Sequence, residues 1–222
     1  MDIKNKLYKD QGMHVLATIF TIDKGNVKVL LIKRNNEPFK SYWALVGGAV
    51  YNNETMDVAM RREIKEKTGL EDVSLFKANI FDDIDRAPKF RMFAVSYIGI
   101  VDSRKVKINK FTDKTQDADW FNIHEVHNLA YDGDIVLQKN LETLKEIILK
   151  TDILKNFFSG SFTIPELMKT YEIILEKKFD RRNFRKKILL LLEESGKEAK
   201  FDGNKPAKLY HFKRNLKNKN VL

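Results

Sequence analysis

Cysteine is absent from this 222-residue chain, which excludes a disulfide framework and any thiolate metal site and fits a reducing compartment. Long apolar runs are missing as well. None approaches the roughly 18 to 20 residues needed to cross a bilayer, so no membrane partner is expected. The opening stretch "MDIKNKLYKDQG" lacks the apolar centre of a secretory leader, and a cytoplasmic protein is the expectation. There is no internal repeat and no low-complexity tract. Histidine is scarce: His14, His124, His127 and His211 share no metal-ligand spacing and read as ordinary surface or core residues.

What is present is enough for a folded core. Hydrophobic residues make up 43% and aromatic residues 11% of the chain, far from a disordered composition. The length suits one large domain or two small ones. Charge separates them. Residues 1–150 carry 24 Lys+Arg against 22 Asp+Glu, a balance of +2, whereas residues 151–222 carry 17 against 9, a balance of +8; together they give the +10 of the whole chain. About a third of the sequence holds most of the excess, which points to a polyanionic partner for that part. Two domains are expected, 1–150 and 151–222.

In the first, "HVLATIFTI" and "VKVLLIKR" are β-branched apolar runs separated by the turn-forming "DKGN", and they predict a pair of neighbouring strands. Met56, Ala59, Met60 and Ile64 recur at helical spacing, with Asn53 or Thr55 available as cap and Gly69 as the stop. Strands follow in "VSLFKANIFDDI", "RMFAVSYIGIV" and "DADWFNI", then a helix in "DIVLQKNLETLKEIILK". The order predicts an α+β domain, a mixed sheet with helices packed on it.

The stretch "GGAVYNNETMDVAMRREIKEKTGL", residues 47 to 70, carries a glycine, a glutamate six positions on, and then Arg-Glu-apolar-x-Glu-Lys-x-Gly-apolar. Gly48, Glu54, Arg62, Glu63, Ile64, Glu66, Gly69 and Leu70 fill a pattern that resembles the Nudix box, with Lys67 where the family has its last glutamate. The chemistry explains the spacing. Cleaving a diphosphate needs divalent cations to neutralise charge and activate water, and Mg²⁺ takes oxygen ligands. Positions 63, 66 and 67 lie at i, i+3 and i+4 and so converge on one helical face. Glu63 and Glu66 are therefore the candidate catalytic and metal-binding residues, with Mg or Mn needed only if the chain hydrolyses. Lys67 removes one anionic ligand and sets a cation against the metal; it can pair with Glu63 or reach a bound phosphate instead. The resemblance implies that Arg62 pairs with Glu54 and holds the loop against the helix, and that Gly47 and Gly48 let backbone approach a ligand.

Two further segments address a ligand. "DRAPKFR", residues 85 to 91, resembles a loop of Nudix proteins acting on ADP-ribose, and it makes Arg86 and Arg91 candidates for bidentate phosphate contacts. Tyr42 and Trp43 can stack on an adenine, although Trp43 also suits a core position.

After residue 150 the pattern changes. Thr163, Pro165 and Glu166 form an N-terminal capping signature before Leu167, Tyr171, Ile174 and Leu175 at helical spacing. A second helix is capped by Asp180 and opens with Arg181, Arg182, Asn183, Arg185 and Lys186, its apolar stripe running through Phe184, Ile188, Leu191 and Leu192. The tail "KEAKFDGNKPAKLYHFKR" predicts two strands around a turn, with Lys205 and Lys208 near the tip. Helix, turn, basic helix and hairpin make a winged helix-turn-helix, with these seven residues as its DNA contacts.

The whole pattern, with "FTIPELMKTYEIILEKKFDRRNFRKKIL" and "KPAKLYHF", resembles the Nudix-related transcriptional regulators of the NrtR family. Two departures stand out: Leu-Val-Gly-Gly at residues 45–48 in place of Leu-Pro-Gly-Gly, and Asp132-Gly133 where the family often has Asp-His. The resemblance implies a homodimeric repressor that binds double-stranded DNA and senses ADP-ribose, a related nucleotide or a phosphorylated sugar, with no cofactor required for regulation. A Nudix hydrolase cleaving a nucleoside diphosphate derivative is the competing reading.

Overall fold

The computed structural model describes residues 10–158, 160–199 and 206–213. Six strands, β1 (Gly12–Asp23), β2 (Asn26–Arg34), β3 (Trp43–Ala49), β4 (Leu75–Phe81), β5 (Met92–Ile100) and β6 (Thr115–Asn122), form one mixed sheet in the order β4-β5-β1-β3-β2-β6. β1 runs parallel to β5 and antiparallel to β2 and β3. The apolar runs are continuous because both faces of the sheet are covered. Along β1, Val15, Ala17 and Ile19 point to one layer and Phe20 to the other, as the two-residue repeat of a strand requires.

On the first face lies α1 (Met56–Thr68). Thr55 caps it, its hydroxyl accepting from the Val58 N–H, and Gly69 ends it in the left-handed region at φ 70°. Ala59, Met60 and Ile64 pack against Val15, Leu30, Ile32 and Val46. On the opposite face α2 (Gly133–Ile147) buries Val136, Leu137 and Leu144. Its Asn140 is fully buried, accepting from Ser96 at 2.8 Å and donating to Thr18 at 3.1 Å, and Asn79 donates to it at 2.9 Å. These bonds fix α2 on the sheet, because a buried amide without partners is costly.

The same apolar layer continues into the basic part of the chain. A short 3-10 turn (Ile153–Asn156) leads to α3 (Ile164–Leu175) and α4 (Arg181–Ile188), followed by β7 (Leu192–Ala199) and β8 (Ala207–Phe212), which pair antiparallel. The expected capping box is present: Glu166 N–H donates to the Thr163 hydroxyl at 3.3 Å, and Thr163 N–H donates to the Glu166 carboxylate at 2.8 Å. Tyr171 and Phe184 pack edge to face inside the unit, and the Tyr171 hydroxyl donates to the carbonyl of Ile148, just beyond α2, at 3.1 Å. Lys145 on α2 pairs with Glu176 at the end of α3 at 2.6 Å. α2 is thus clamped between the sheet and the helix-turn-helix.

One boundary differs from expectation. The stripe Phe184, Ile188, Leu191, Leu192 does not lie on one helix: α4 ends at Ile188, a 3-10 turn covers Leu189–Leu191, and Leu192 opens β7. All four are nonetheless buried, since tightening the chain turns Leu191 inward and the strand continues the apolar path. The wing's turn, with Lys205, lies outside the described residues.

Candidate functional site: a cationic cavity and a basic helix

A cavity of about 360 Å³ opens beside the first strands. β1 supplies His14 and Leu16, β3 supplies Gly47 and Gly48, α1 supplies Lys67, and the segment before α2 supplies Tyr131 and Asp132. Four cations border it, Arg34, Lys67, Arg86 and Lys89, against the carboxylates of Glu37 and Asp132. The surplus favours an anionic ligand. Burial, with Arg86 and Lys67 nearby, lowers the His14 imidazole to about 4, so it is neutral at physiological pH.

Arg62 organises the adjoining acidic cluster. Its guanidinium donates to both oxygens of Glu54 (2.9 and 2.6 Å), to Glu63 (2.5 Å), to Glu66 (3.2 Å) and to the Ala49 carbonyl (2.9 Å), and it stacks over Tyr51 at 4.0 Å. The Arg62 contact holds the Glu54 carboxyl far below its ordinary value, at about 2. Glu66 is lowered chiefly by Lys114, which reaches it at 2.6 Å. Lys67 sits 3.0 Å from Glu63 and donates to the Gly47 carbonyl; burial lowers it, against the raising effect of Glu63. The two glycines of β3 serve packing here. A Cβ on Gly47 would clash with the Val15 backbone carbonyl, and one on Gly48 with the Glu63 carboxylate, so Gly47 lets β3 lie close on β1 and Gly48 leaves room for the α1 carboxylate.

Glu63 and Glu66 are the pair expected to hold a metal. The structure brings them together but sets each against cations. Glu63 is 3% exposed; one oxygen accepts from Arg62, and the other makes no aligned hydrogen bond but lies 3.0 Å from the Lys67 ammonium. A Mg²⁺ bound at about 2 Å would need the space the ammonium fills. Among the described residues no three His, Cys, Asp or Glu side chains are grouped to hold a metal ion. The side chains present do not fit one.

Of the loop arginines, Arg86 borders the cavity and Arg91 does not. Arg91 stacks over Phe93 at 4.6 Å, and Lys89 takes the place expected for it. Arg86 is nearly buried and forms a bidentate pair with Asp132, 2.9 and 2.8 Å. Asp132 precedes α2 but makes no side-chain cap, because its carboxylate is committed to Arg86. Tyr42 and Trp43 do not border the cavity: Tyr42 is half exposed and Trp43 packs on Phe121 at 4.5 Å, whereas Phe90 and Tyr131 supply aromatic surface there. Sequence does not point to Arg34 at all; it reads His14 as an ordinary residue and marks Asp132 only as part of a departure from the family pattern, not as a site residue. Only their position at strand or helix ends could have flagged them, since their convergence is long-range.

On α4 the picture reverses. Phe184 and Ile188 are buried, while Arg181, Arg182, Asn183, Arg185, Lys186 and Lys187 are exposed. The Asp180 carboxylate accepts from the Asn183 N–H at 2.9 Å and caps the helix. None of these five cations has a carboxylate partner among the described residues. Lys208 on β8 does, pairing with Glu194 at 2.9 Å.

A sheet flanked by α1 and α2, with the Arg62-centred loop and helix, defines the class. A sequence model of the NUDIX domain matches residues 12–141, and the chain belongs to the Nudix family. Its second part is equally specific: residues 154–212 match the NrtR DNA-binding winged helix domain. The chain is 28% identical over 211 residues to the ADPR responsive transcriptional repressor NtrR of Acinetobacter baylyi, covering 92% of this chain and 83% of that protein. It is 35% identical over 135 residues to an ADP-ribose pyrophosphatase of Methanocaldococcus jannaschii, covering 61% and 76%. The crystal structure of Shewanella oneidensis NrtR complexed with a 27mer DNA superposes with TM-score 0.79 at 25% identity, covering 90% of this chain and 93% of that one. No helix among the described residues is long and apolar enough to cross a membrane.

Proposed function

We propose that this chain is a cytoplasmic, homodimeric transcriptional repressor whose residues 151–222 bind operator DNA under control of an ADP-ribose-like nucleotide held by residues 1–150. The observation that carries this is the set of five exposed, unpaired cations on a capped helix, α4. Arg181, Arg182, Asn183, Arg185 and Lys186 contact DNA, assisted by Lys208 and Lys205 from the wing. A dimer is required because one such helix reads too few base pairs, while two related by a two-fold axis read a palindrome. The similarity to the Acinetobacter repressor and to the DNA-bound Shewanella protein supports the same reading.

In the cavity, Arg86 and Lys67 meet the diphosphate and Gly47 and Gly48 form its wall, while Glu54 and Arg62 hold that wall in place. Arg86 also links the ligand to the output. An incoming phosphate competes with Asp132 for the guanidinium, and Asp132 begins the helix whose far end touches α3. Anisotropy titration of the full chain against its own upstream region tests the proposal: absence of binding at low salt sinks it. A second reading, a hydrolase using Mg or Mn at Glu63 and Glu66, is favoured by the likeness to the Methanocaldococcus enzyme. Release of AMP from ADP-ribose at an ordinary enzymatic rate, of order 1 to 10³ per second, would put it first.

A further inference from the structure

We propose that Lys67 takes the place of a divalent cation, so that this chain binds a diphosphate ester without metal, the diphosphate lying against Lys67 and Arg34. The inference rests on the nucleotide-effector reading above and deepens it. The first argument is charge balance. The cluster of three carboxylates, Glu54, Glu63 and Glu66, is already matched by three cations, Arg62, Lys67 and Lys114. A dication added there would leave an unbalanced double charge beside an ammonium, in a site where Glu63 is 3% exposed and repulsion is poorly screened.

The second argument is position. Lys67 and Arg34 border both the main cavity and an adjoining cleft of about 230 Å³ that also reaches Glu63 and Lys114. They stand where the cavity passes into the acidic cluster. Arg34 is without a carboxylate partner among the described residues: it donates to the carbonyls of Pro38 (3.0 Å) and Asn36 (3.3 Å) and stands 5.0 Å from the Tyr131 ring centroid. Lys67 has three donors: the Gly47 carbonyl takes one, and Glu63 lies beside the ammonium at 3.0 Å as an ion pair without an aligned hydrogen bond. A donor remains for a phosphate oxygen, and the Lys67 side chain, 13% exposed, meets that oxygen with little screening by solvent.

The test compares calorimetric affinity of the full chain for ADP-ribose in EDTA and in excess Mg²⁺. The expected result is the same dissociation constant in both buffers; a loss of about tenfold or more in EDTA overturns the inference. Lys67→Met, with similar length and no charge, should weaken ADP-ribose about tenfold or more while changing AMP affinity much less. Unchanged ADP-ribose affinity in that variant would show that Lys67 is not the substitute and also overturns it. Lys67→Glu should make what binding remains dependent on Mg²⁺. If ADP-ribose binds the wild type in neither buffer, the effector reading fails, and inorganic pyrophosphate is titrated in its place. Pyrophosphate binding in EDTA upholds the metal-free site; binding only with Mg²⁺, or none, refutes it.

Discussion

Four cations of the sheet half and the five of α4 do opposite things. Arg62, Lys67, Arg86 and Lys114 are each locked to a carboxylate at 3.0 Å or less. The five on α4 are solvated and unpaired among the described residues. Paired cations set the shape of a site and cost stability when removed, because the partner carboxylate is left behind in poor solvent. Unpaired ones contribute little to the fold and hold their charge for a polyanion. The net charge of +10 describes the molecule less well than this division does.

The division predicts its own failures, in order of size. Arg62→Ala removes the hub of three carboxylates and should destabilise the chain by about 3 kcal/mol, read from the denaturant midpoint; Glu54 losing its bidentate partner and buried Glu63 keeping only Lys67 are the cause. A loss below about 0.5 kcal/mol would mean the pairs are ornamental. Replacing Arg181 and Arg182 together by alanine should leave that midpoint unmoved. It should instead weaken DNA binding about 10- to 100-fold at low salt and reduce the salt slope by about two. If stability falls and DNA affinity does not, the two sets have been assigned the wrong way round.

Thr163→Ala, which removes one half of the capping box of α3, should cost about 1 kcal/mol. That cap illustrates what was legible in advance. Thr55, Gly69, Asp180 and the Thr163–Glu166 box are local signals, each written within a few residues, and each appears where the sequence puts it. The alternation of buried positions along β1 and β2 is local too. The Arg86–Asp132 pair, 46 positions apart, is not, and neither is the entry of Arg34 and His14 into one cavity. No periodicity encodes which strand ends meet. Arg91 matches a motif yet does not border the cavity, which Arg86, Pro88, Lys89 and Phe90 of the same loop do. The stripe from Phe184 to Leu192 reads as one helix in the sequence because a 3-10 turn followed by a strand buries the same residues. Lys67 is legible as an anomaly and so is its i, i+4 partner Glu63; its bond to the Gly47 carbonyl, 20 positions away, is not.

The smallest effect concerns pH. Arg62 depresses the Glu54 carboxyl from its ordinary 4.5 to about 2, so the stabilisation from this contact is present in full above pH 4.5 and is lost as pH falls toward 2. Thermal melts should therefore show a decline in that window that is shallower in Glu54→Gln. Identical profiles for both proteins would remove Glu54 from the account.

In the proposed function, a ligand in the cavity alters the grip of α4 on DNA through Arg86, Asp132 and α2. The most direct measurement is the affinity of the full chain for its own upstream DNA, with and without saturating ADP-ribose, at fixed salt. A change of about fivefold or more is predicted, the scale on which two sites in one protein are usually coupled. An unchanged affinity, in a protein shown by calorimetry to have ADP-ribose bound, would contradict it.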